Sequence, residues 1–216
     1  MNKMKNFLVI PILFLSTIVS GQKIGELAPE QPSEIFPSNS WGVDLMFGEG
    51  GFGLGTFLRK SFSEDFKGFV DFSFSESKDD KEVEYIDYFG QTYVFGKVNR
   101  VFLLPLNFGI QYRLFRKSVT DNLRPYLCLA VGPNFIMTTP YEKEFFNAFG
   151  QAKIKYALGG YIGFGADFGL SKSNLLGLNI RYSYAHLFDK GVENLQNSFR
   201  SNLAHLYITL NIGIMY

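Results

Sequence analysis

Two histidines, one cysteine and a scatter of charges are all from which this chain of 216 residues could build a reactive site. His186 lies in RYSYAHLFDKG and His205 in LAHLYITL, and neither has a Cys or second His at ligand spacing. No metal site is therefore expected, and no cofactor-binding motif is present. Cys128 is the only cysteine, which rules out an intrachain disulfide, and its place in an alternating run marks it as an inward packing residue. The charges are more informative. Asp44, Arg59, Lys67, Asp71, Arg113, Arg124, Asp167 and Arg181 all fall on the polar parity of alternating segments. Charges of both signs on one enclosed face must pair, so Asp44, Arg59, Asp71, Arg113, Arg124, Asp167 and Arg181 are expected to form a lumenal network. Such a network would serve either as an ion path or gate, or as a sealed plug of side chains. The narrow lumen of a small barrel favours the plug.

Those charges need elements that hold them inward, and the last stretch shows their kind. In residues 203–216, LAHLYITLNIGIMY, the positions Ala204, Leu206, Ile208, Leu210, Ile212, Ile214 and Tyr216 are all apolar or aromatic. His205, Tyr207, Thr209, Asn211 and Gly213 occupy the other parity. A period of two over this length matches a tilted transmembrane strand, which needs roughly 9–11 residues. The alternative for this segment alone is a buried strand of a soluble sheet.

Seven further alternating runs precede it, at about 40–48, 52–62, 66–76, 99–115, 123–137, 153–170 and 175–187. The short connections at 64–65, 116–122 and 171–174 alternate with long ones at 77–98, 138–152 and 188–202, while that at 49–51 is tight. Short turns at one end and long loops at the other predict an all-β, eight-stranded antiparallel transmembrane up-and-down barrel over 40–216. Pro105 and Pro133 fall inside strands and predict local bulges; Pro125 near a strand start is milder.

Parity alone does not say which face meets lipid. The face opposite the bulky residues is too poor in charge for a solvated surface, since strand six offers Gly159, Gly163, Gly165 and Gly169 there. Small residues and a few charges suit a narrow interior, which leaves the bulky face to lipid. Lys60 and His186 sit on that face, near strand ends where a polar group is tolerated. Trp41, Phe66, Tyr112 and Tyr216 would form part of an aromatic girdle.

Composition and ends agree. The mean hydropathy of +0.03 is what alternation produces, and no apolar run reaches the length of a spanning helix. Residues 1–21 read as a signal peptide: Lys3 and Lys5, an apolar core from Phe7 to Val19, and a small-residue cleavage site at Val19-Ser20-Gly21. Residues 22–39, with Pro29, Pro32 and Pro37, read as an irregular periplasmic leader. Cleavage would take the formal charge from +1 to −1, leaving no basic excess for nucleic acid.

The long loops carry features that neither lipid contact nor lumen filling demands. Tyr85, Tyr88 and Tyr93 join an acidic run in the first, and Tyr141, Phe145 and Phe146 lie among charges in the second. Aromatics displayed on a rigid scaffold suit binding; the alternative is that they fold back onto the rim. The acidic run 79–87 is expected to be a solvated loop rather than a site for cations bridging lipopolysaccharide.

With these strands placed, RPYLCLAVGPNF (124–135), VFLLPLNFGIQYRLF (101–115) and the last strand ending in Tyr216 resemble small outer-membrane barrels of the OmpA type. The similarity extends to the outer membrane protein β-barrel domain group of Bacteroidetes, which includes PorT-like proteins. The resemblance implies a location in the cell outer membrane among lipid and lipopolysaccharide. It also implies insertion by the barrel assembly machinery through a C-terminal signal, here Leu210, Ile212, Ile214 and Tyr216. It implies a non-catalytic role in envelope structure or surface-loop binding to a protein or surface ligand. His186 faintly resembles the histidine strand of outer-membrane lipid A deacylases, which place a Ser two residues later; here that position is Phe188. A lipid-modifying enzyme and a narrow pore are the alternatives.

Overall fold

Alternation closes into a single hoop. The computed structural model describes residues 39–119, 122–168 and 173–216; the expected signal peptide and nearly all of the leader lie outside them, as does Gly169. Eight strands are β1 (Ser40–Gly48), β2 (Gly51–Ser61), β3 (Phe66–Ser77) and β4 (Asn99–Arg113), then β5 (Leu123–Pro140), β6 (Lys153–Phe168), β7 (Asn174–Leu187) and β8 (Asn202–Met215). Each pairs antiparallel with its chain neighbour, and β1 pairs with β8 from Ser40↔Met215 to Gly48↔Tyr207, so the barrel has no free edge. Closure gives every strand a partner on both sides, the condition for a sheet in lipid.

Ser40, Met215 and the strand ends that flank the connections after β2, β4 and β6 share one end, called here the turn end. The opposite loop end carries the tight turn Glu49–Gly50 and three long connections. Those connections are structured. The first holds a hairpin of Glu84–Ile86 against Thr92–Val94, and the third one of Val192–Leu195 against Ser198–Arg200. The second folds a helical turn, Phe145–Ala148, continued by a 3-10 turn at Phe149–Gln151.

The bulky parity faces outward. Leu58, Val70, Phe108, Leu129, Ile162 and Ile208 are all exposed, whereas their strand neighbours on the other parity are buried or half-buried. A largely apolar jacket around a charged interior is stable only where lipid replaces water outside. The fold is therefore a transmembrane barrel. Trp41, Phe66, Tyr112 and Tyr216 are exposed on the jacket at the turn end, with the Phe66 and Tyr112 rings 4.8 Å apart. Lys60 is exposed at the same end, and His186, at the loop end, is half-buried with Nδ1 2.6 Å from Asn202 Oδ1.

The expected bulges at Pro105 and Pro133 are absent. Pro105 pairs with Asn134 and Phe108 with Val131 in one continuous register, the ladder lapsing only between them. Pro133 likewise keeps register with Leu158. The neighbouring Gly132 lies close against the facing strand: a Cβ there would lie 1.9 Å from the Leu106 carbonyl oxygen. Register is kept across the lapse, and no residue is extruded. Inside, a Cβ on Gly163 would meet Cys128 Sγ at 2.8 Å, so the bare strand makes room for side chains from β5. β4 ends at Arg113 rather than 115, because Phe115 takes a left-handed φ of 53° in the turn, and β5 runs on to Pro140 rather than 137.

Candidate functional site

Inward parity delivers the predicted charges to the lumen, and register decides which of them meet. Asp44 on β1 faces Asn211 on β8 as a direct cross-strand pair, and Asn211 donates to its carboxylate. Arg181 reaches the same group across the lumen from β7, Nη2 to Oδ2 at 2.9 Å, with both side chains almost fully buried. Its guanidinium also lies 4.8 Å over the Tyr161 ring. Asp71 accepts from Asn107 at 2.9 Å and from the Tyr161 hydroxyl at 2.5 Å. One tier toward the turn end, Arg59 spans from β2 to Asp167 on β6 at 3.0 and 3.2 Å and covers the Phe57 ring at 4.2 Å. Buried charge here is ion-paired at Asp44 and Asp167 and hydrogen-bonded at Asp71, as burial requires.

Two predicted members stand apart. Arg113 lies at the turn-end rim, half-buried, with Nη2 donating to the Val119 carbonyl at 3.4 Å, so its expected place in the network is corrected. The reason is positional: Arg113 is the last residue of β4, where the strand gives way to the turn. Arg124 is buried opposite Asp167 in register and extends both terminal nitrogens to Met215 Sδ at 3.5 Å.

The amides and phenols that complete the network were not singled out from sequence. Tyr126 donates to Asn211 at 3.4 Å and accepts from Asn179 at 3.2 Å. Inward parity on an otherwise apolar strand was the signal for Asn107, Asn179 and Asn211. Cys128 is buried beside them, accepting from Asn179 at 3.5 Å, in the packing role expected of it. Among the described residues the lumen holds cavities of about 20 and 10 Å³, one beside His205 and Tyr207 and one beside Asp44 and Asp71. Each holds roughly one water.

Above the network the mouth is capped. Val101, Leu103, Ile136, Ala157, Ala185, Leu187, Val192 and Leu203 form an apolar cluster, to which the third loop contributes Val192. A polar layer covers it. Lys97 binds Glu82 at 2.6 Å, Asn194 donates to Ser77 O and to Glu82, and Arg200 donates to Lys78 O at 2.9 Å. Lys97↔Leu195 is a backbone bridge between the first and third loops. The expectation of a wholly solvated acidic run is thereby corrected: Asp79 is buried and the Glu82 side chain is 4% exposed, because both are recruited to the cap. His205 faces inward beneath it, its Nε2 2.7 Å from Ser77 Oγ. Both residues are fully buried.

The six loop aromatics divide. Phe145 and Phe149 fold down onto Phe102, with centroids 6.1 and 6.0 Å away, and bury a ring whose parity otherwise faces lipid. Phe146 stays outside that contact, 85% exposed. Tyr141 is held by Arg100 at 4.9 Å and Lys97 at 5.3 Å from its ring. Tyr85 and Tyr93, by contrast, are cross-strand partners stacked at 5.9 Å on the outer face of the first-loop hairpin, each 5.0 Å from Phe95. All three rings are exposed, and Tyr88 at the tip is 98% exposed. The hairpin base is pinned by Lys78, which donates to Glu84 at 2.8 Å. The contact holds the Glu84 carboxyl below its ordinary range and the Lys78 ammonium above its own.

A closed eight-stranded hoop with an apolar jacket, a charged packed lumen and a stitched loop cap defines the class: a small transmembrane β-barrel. No family model matches the chain, and no curated protein matches it. Among solved structures it is similar to the N-terminal β-barrel domain of Pseudomonas aeruginosa OprF, at 12% identity over 84% of this chain and 98% of that one, with a TM-score of 0.48. Neisserial surface protein A matches at 10% identity over 83% and 95% of the two chains, also with a TM-score of 0.48. The attachment invasion locus protein Ail of Yersinia pestis matches at 14% identity over 84% and 100%, with a TM-score of 0.43.

Proposed function

We propose that this chain is a non-catalytic barrel of the bacterial outer membrane that binds a surface ligand, protein or lipopolysaccharide, through its first loop. The turn end then faces the periplasm, and Leu210, Ile212, Ile214 and Tyr216, on the outward parity of β8, serve the barrel assembly machinery. The observation that carries the reading is the Tyr85–Tyr93–Phe95 face: three exposed, mutually packed rings on a hairpin pinned to a rigid rim. Preordered aromatic area of this kind costs little entropy on binding. Phe145, folded onto the wall, and Tyr141, engaged by cations, contribute support rather than contact. The test replaces residues 83–95 by a short Gly/Ser turn. The variant should still fractionate with the outer membrane and keep a heat-dependent gel shift, while binding to lipopolysaccharide and to cell surfaces falls. Unchanged binding would exclude this hairpin as the site.

A further inference from the structure

The second loop does not stand clear of the barrel. Arg100 on β4 fixes its start, donating from Nη1 to the Pro140 and Lys143 carbonyls at 3.1 Å each, and the Tyr141 N–H donates to Val98 O at 2.9 Å. The helical turn that follows lies against the outer wall. At about 100° per residue, Phe145, Ala148 and Phe149 share one face. Ala148 is fully buried, and the two rings meet Phe102, which has lipid-facing parity yet is only 4% exposed. Phe102 stacks in turn on Phe74 of β3 at 5.1 Å, and Phe72, two residues nearer the middle of the wall, is exposed again. The turn thus takes the place of lipid over one sector and joins the apolar jacket below it.

Its level decides what surrounds it. Tyr112, on the turn-end girdle, lies ten residues along β4 from Phe102. At about 3.4 Å per residue and a tilt of about 40°, that length rises about 25 Å along the barrel axis, the height of the apolar band of a membrane barrel. Phe102 therefore marks the opposite interface, and the turn sits outside the wall at that height. There the Phe146 ring, 5.3 Å from Phe145, is almost wholly exposed. Glu142, Lys143, Glu144 and Asn147 around it are exposed and polar, with Asn147 donating to Glu144 at 3.1 Å. Exposed rings among polar groups fit the boundary between headgroups and acyl chains, and are costly in water.

From this placement we infer that the helical turn Phe145–Ala148 is a lipid-docking element, seated in the leaflet at the loop end with Phe146 as its anchor. The occupant of the exposed aromatic face is the lipid surface itself, because the face continues a wall that lipid already covers. Arg100 and the Phe102 contact hold the turn in place, so seating it orders no free segment. The inference is independent of binding through the first loop and takes from the fold only the lipid-facing wall.

The experiment places one tryptophan reporter in the folded full-length barrel in phosphatidylcholine vesicles. Trp41→Phe removes the native one, and Phe146→Trp, Tyr88→Trp or Leu129→Trp supplies another. Lipids brominated high or low on the acyl chain quench at their own depth, and acrylamide quenches from water. The reporter at position 146 should emit to the blue of that at 88 and be shielded from acrylamide. The shallow bromines should quench it most, as for a face seated roughly 5–10 Å into the boundary. The reporter at 129, on the wall, should answer to the deep bromines, and that at 88 to acrylamide alone. Each variant is checked for its heat-dependent gel shift. The unaltered chain gives a second reading in nanodiscs, where cross-relaxation from lipid protons should reach the amides of 145–149 and not those of 85–93. Acrylamide access at 146 equal to that at 88 would show a face open to a soluble partner. Shielding that grows with the protein-to-lipid ratio, without bromine quenching, would show a second copy covering it. Either result, or no lipid contact at 145–149 in the unaltered chain, would overturn the inference.

Discussion

Arg181 is the side chain whose removal should cost the barrel most. It contacts Asp44 at 2.9 Å, lies over the Tyr161 ring, and feels the Asp71 carboxylate as well. Replacing it with Met keeps the volume but leaves two buried carboxylates facing each other. A pair at contact distance attracts by about 4 kcal/mol at the effective dielectric of a protein interior. Stranding a buried partner makes the loss about 3–5 kcal/mol. Asp44→Asn should cost less, about 1–2 kcal/mol, because Arg181 still feels the Asp71 charge and the new amide is isosteric. The double variant should fall well short of the sum, since it removes the stranded charge along with the pair. The assay is denaturant unfolding in phospholipid vesicles, followed through Trp41, the only tryptophan, which sits on the lipid-facing wall and reports insertion by its emission. An Arg181→Met variant within about 1 kcal/mol of the parent, or one more stable than Asp44→Asn, would refute the argument.

Gly132→Val should block folding or cost at least about 3 kcal/mol, because its Cβ would overlap the Leu106 carbonyl; a normal gel shift would show that the strands can separate there. Planar-bilayer recordings should show no large stable conductance, given cavities of about 20 and 10 Å³; a reproducible porin-like current would contradict the packed lumen. The hairpin tether should respond to acid. Glu84 has its carboxyl lowered from 4.5 by the Lys78 hydrogen bond, so its contribution is complete above 4.5 and is lost as pH falls through the lowered value. Lys78 is raised from 10.5, so its share persists until pH climbs past that point. Amide protection in 83–95 should therefore be flat between these limits and drop on the acid side; a drop near neutrality would exclude this pair as the tether.

Strand parity was legible because lipid and lumen impose opposite chemistry on alternate residues, and Leu58, Val70 and Ile208 could only face out once Asp44, Asp71 and Arg181 faced in. Pairing within the lumen was not legible. Whether Arg113 joins Asp167 depends on register around the hoop, which no single strand encodes. The prolines misled for a related reason: Pro105 and Pro133 predict bulges one strand at a time, yet they adjoin Gly132 across a strand pair that keeps its register instead. In the loops, aromatic content was visible but its fate was not. Phe145 finds Phe102 on the wall, whereas Tyr85 and Tyr93 find only each other. The burial of Asp79 and Glu82 depends on cations and amides about 15 to 121 residues away, Lys97, Asn194 and Arg200, and so escaped a local reading.

The seam between β1 and β8 is where the two ends of the hoop meet, and the Asn211–Asp44 bond across it joins residues 167 apart in sequence. Until that seam zips, Asp44 has neither Asn211 in place nor a closed lumen from which Arg181 can reach it. A slip of one residue would turn Asp44 toward the acyl chains and Val43 toward the guanidinium. The polar centre thus ties stability to the register of the seam: a slipped hoop would leave a charge in hydrocarbon, whereas the native one supplies the ion pair with its partners.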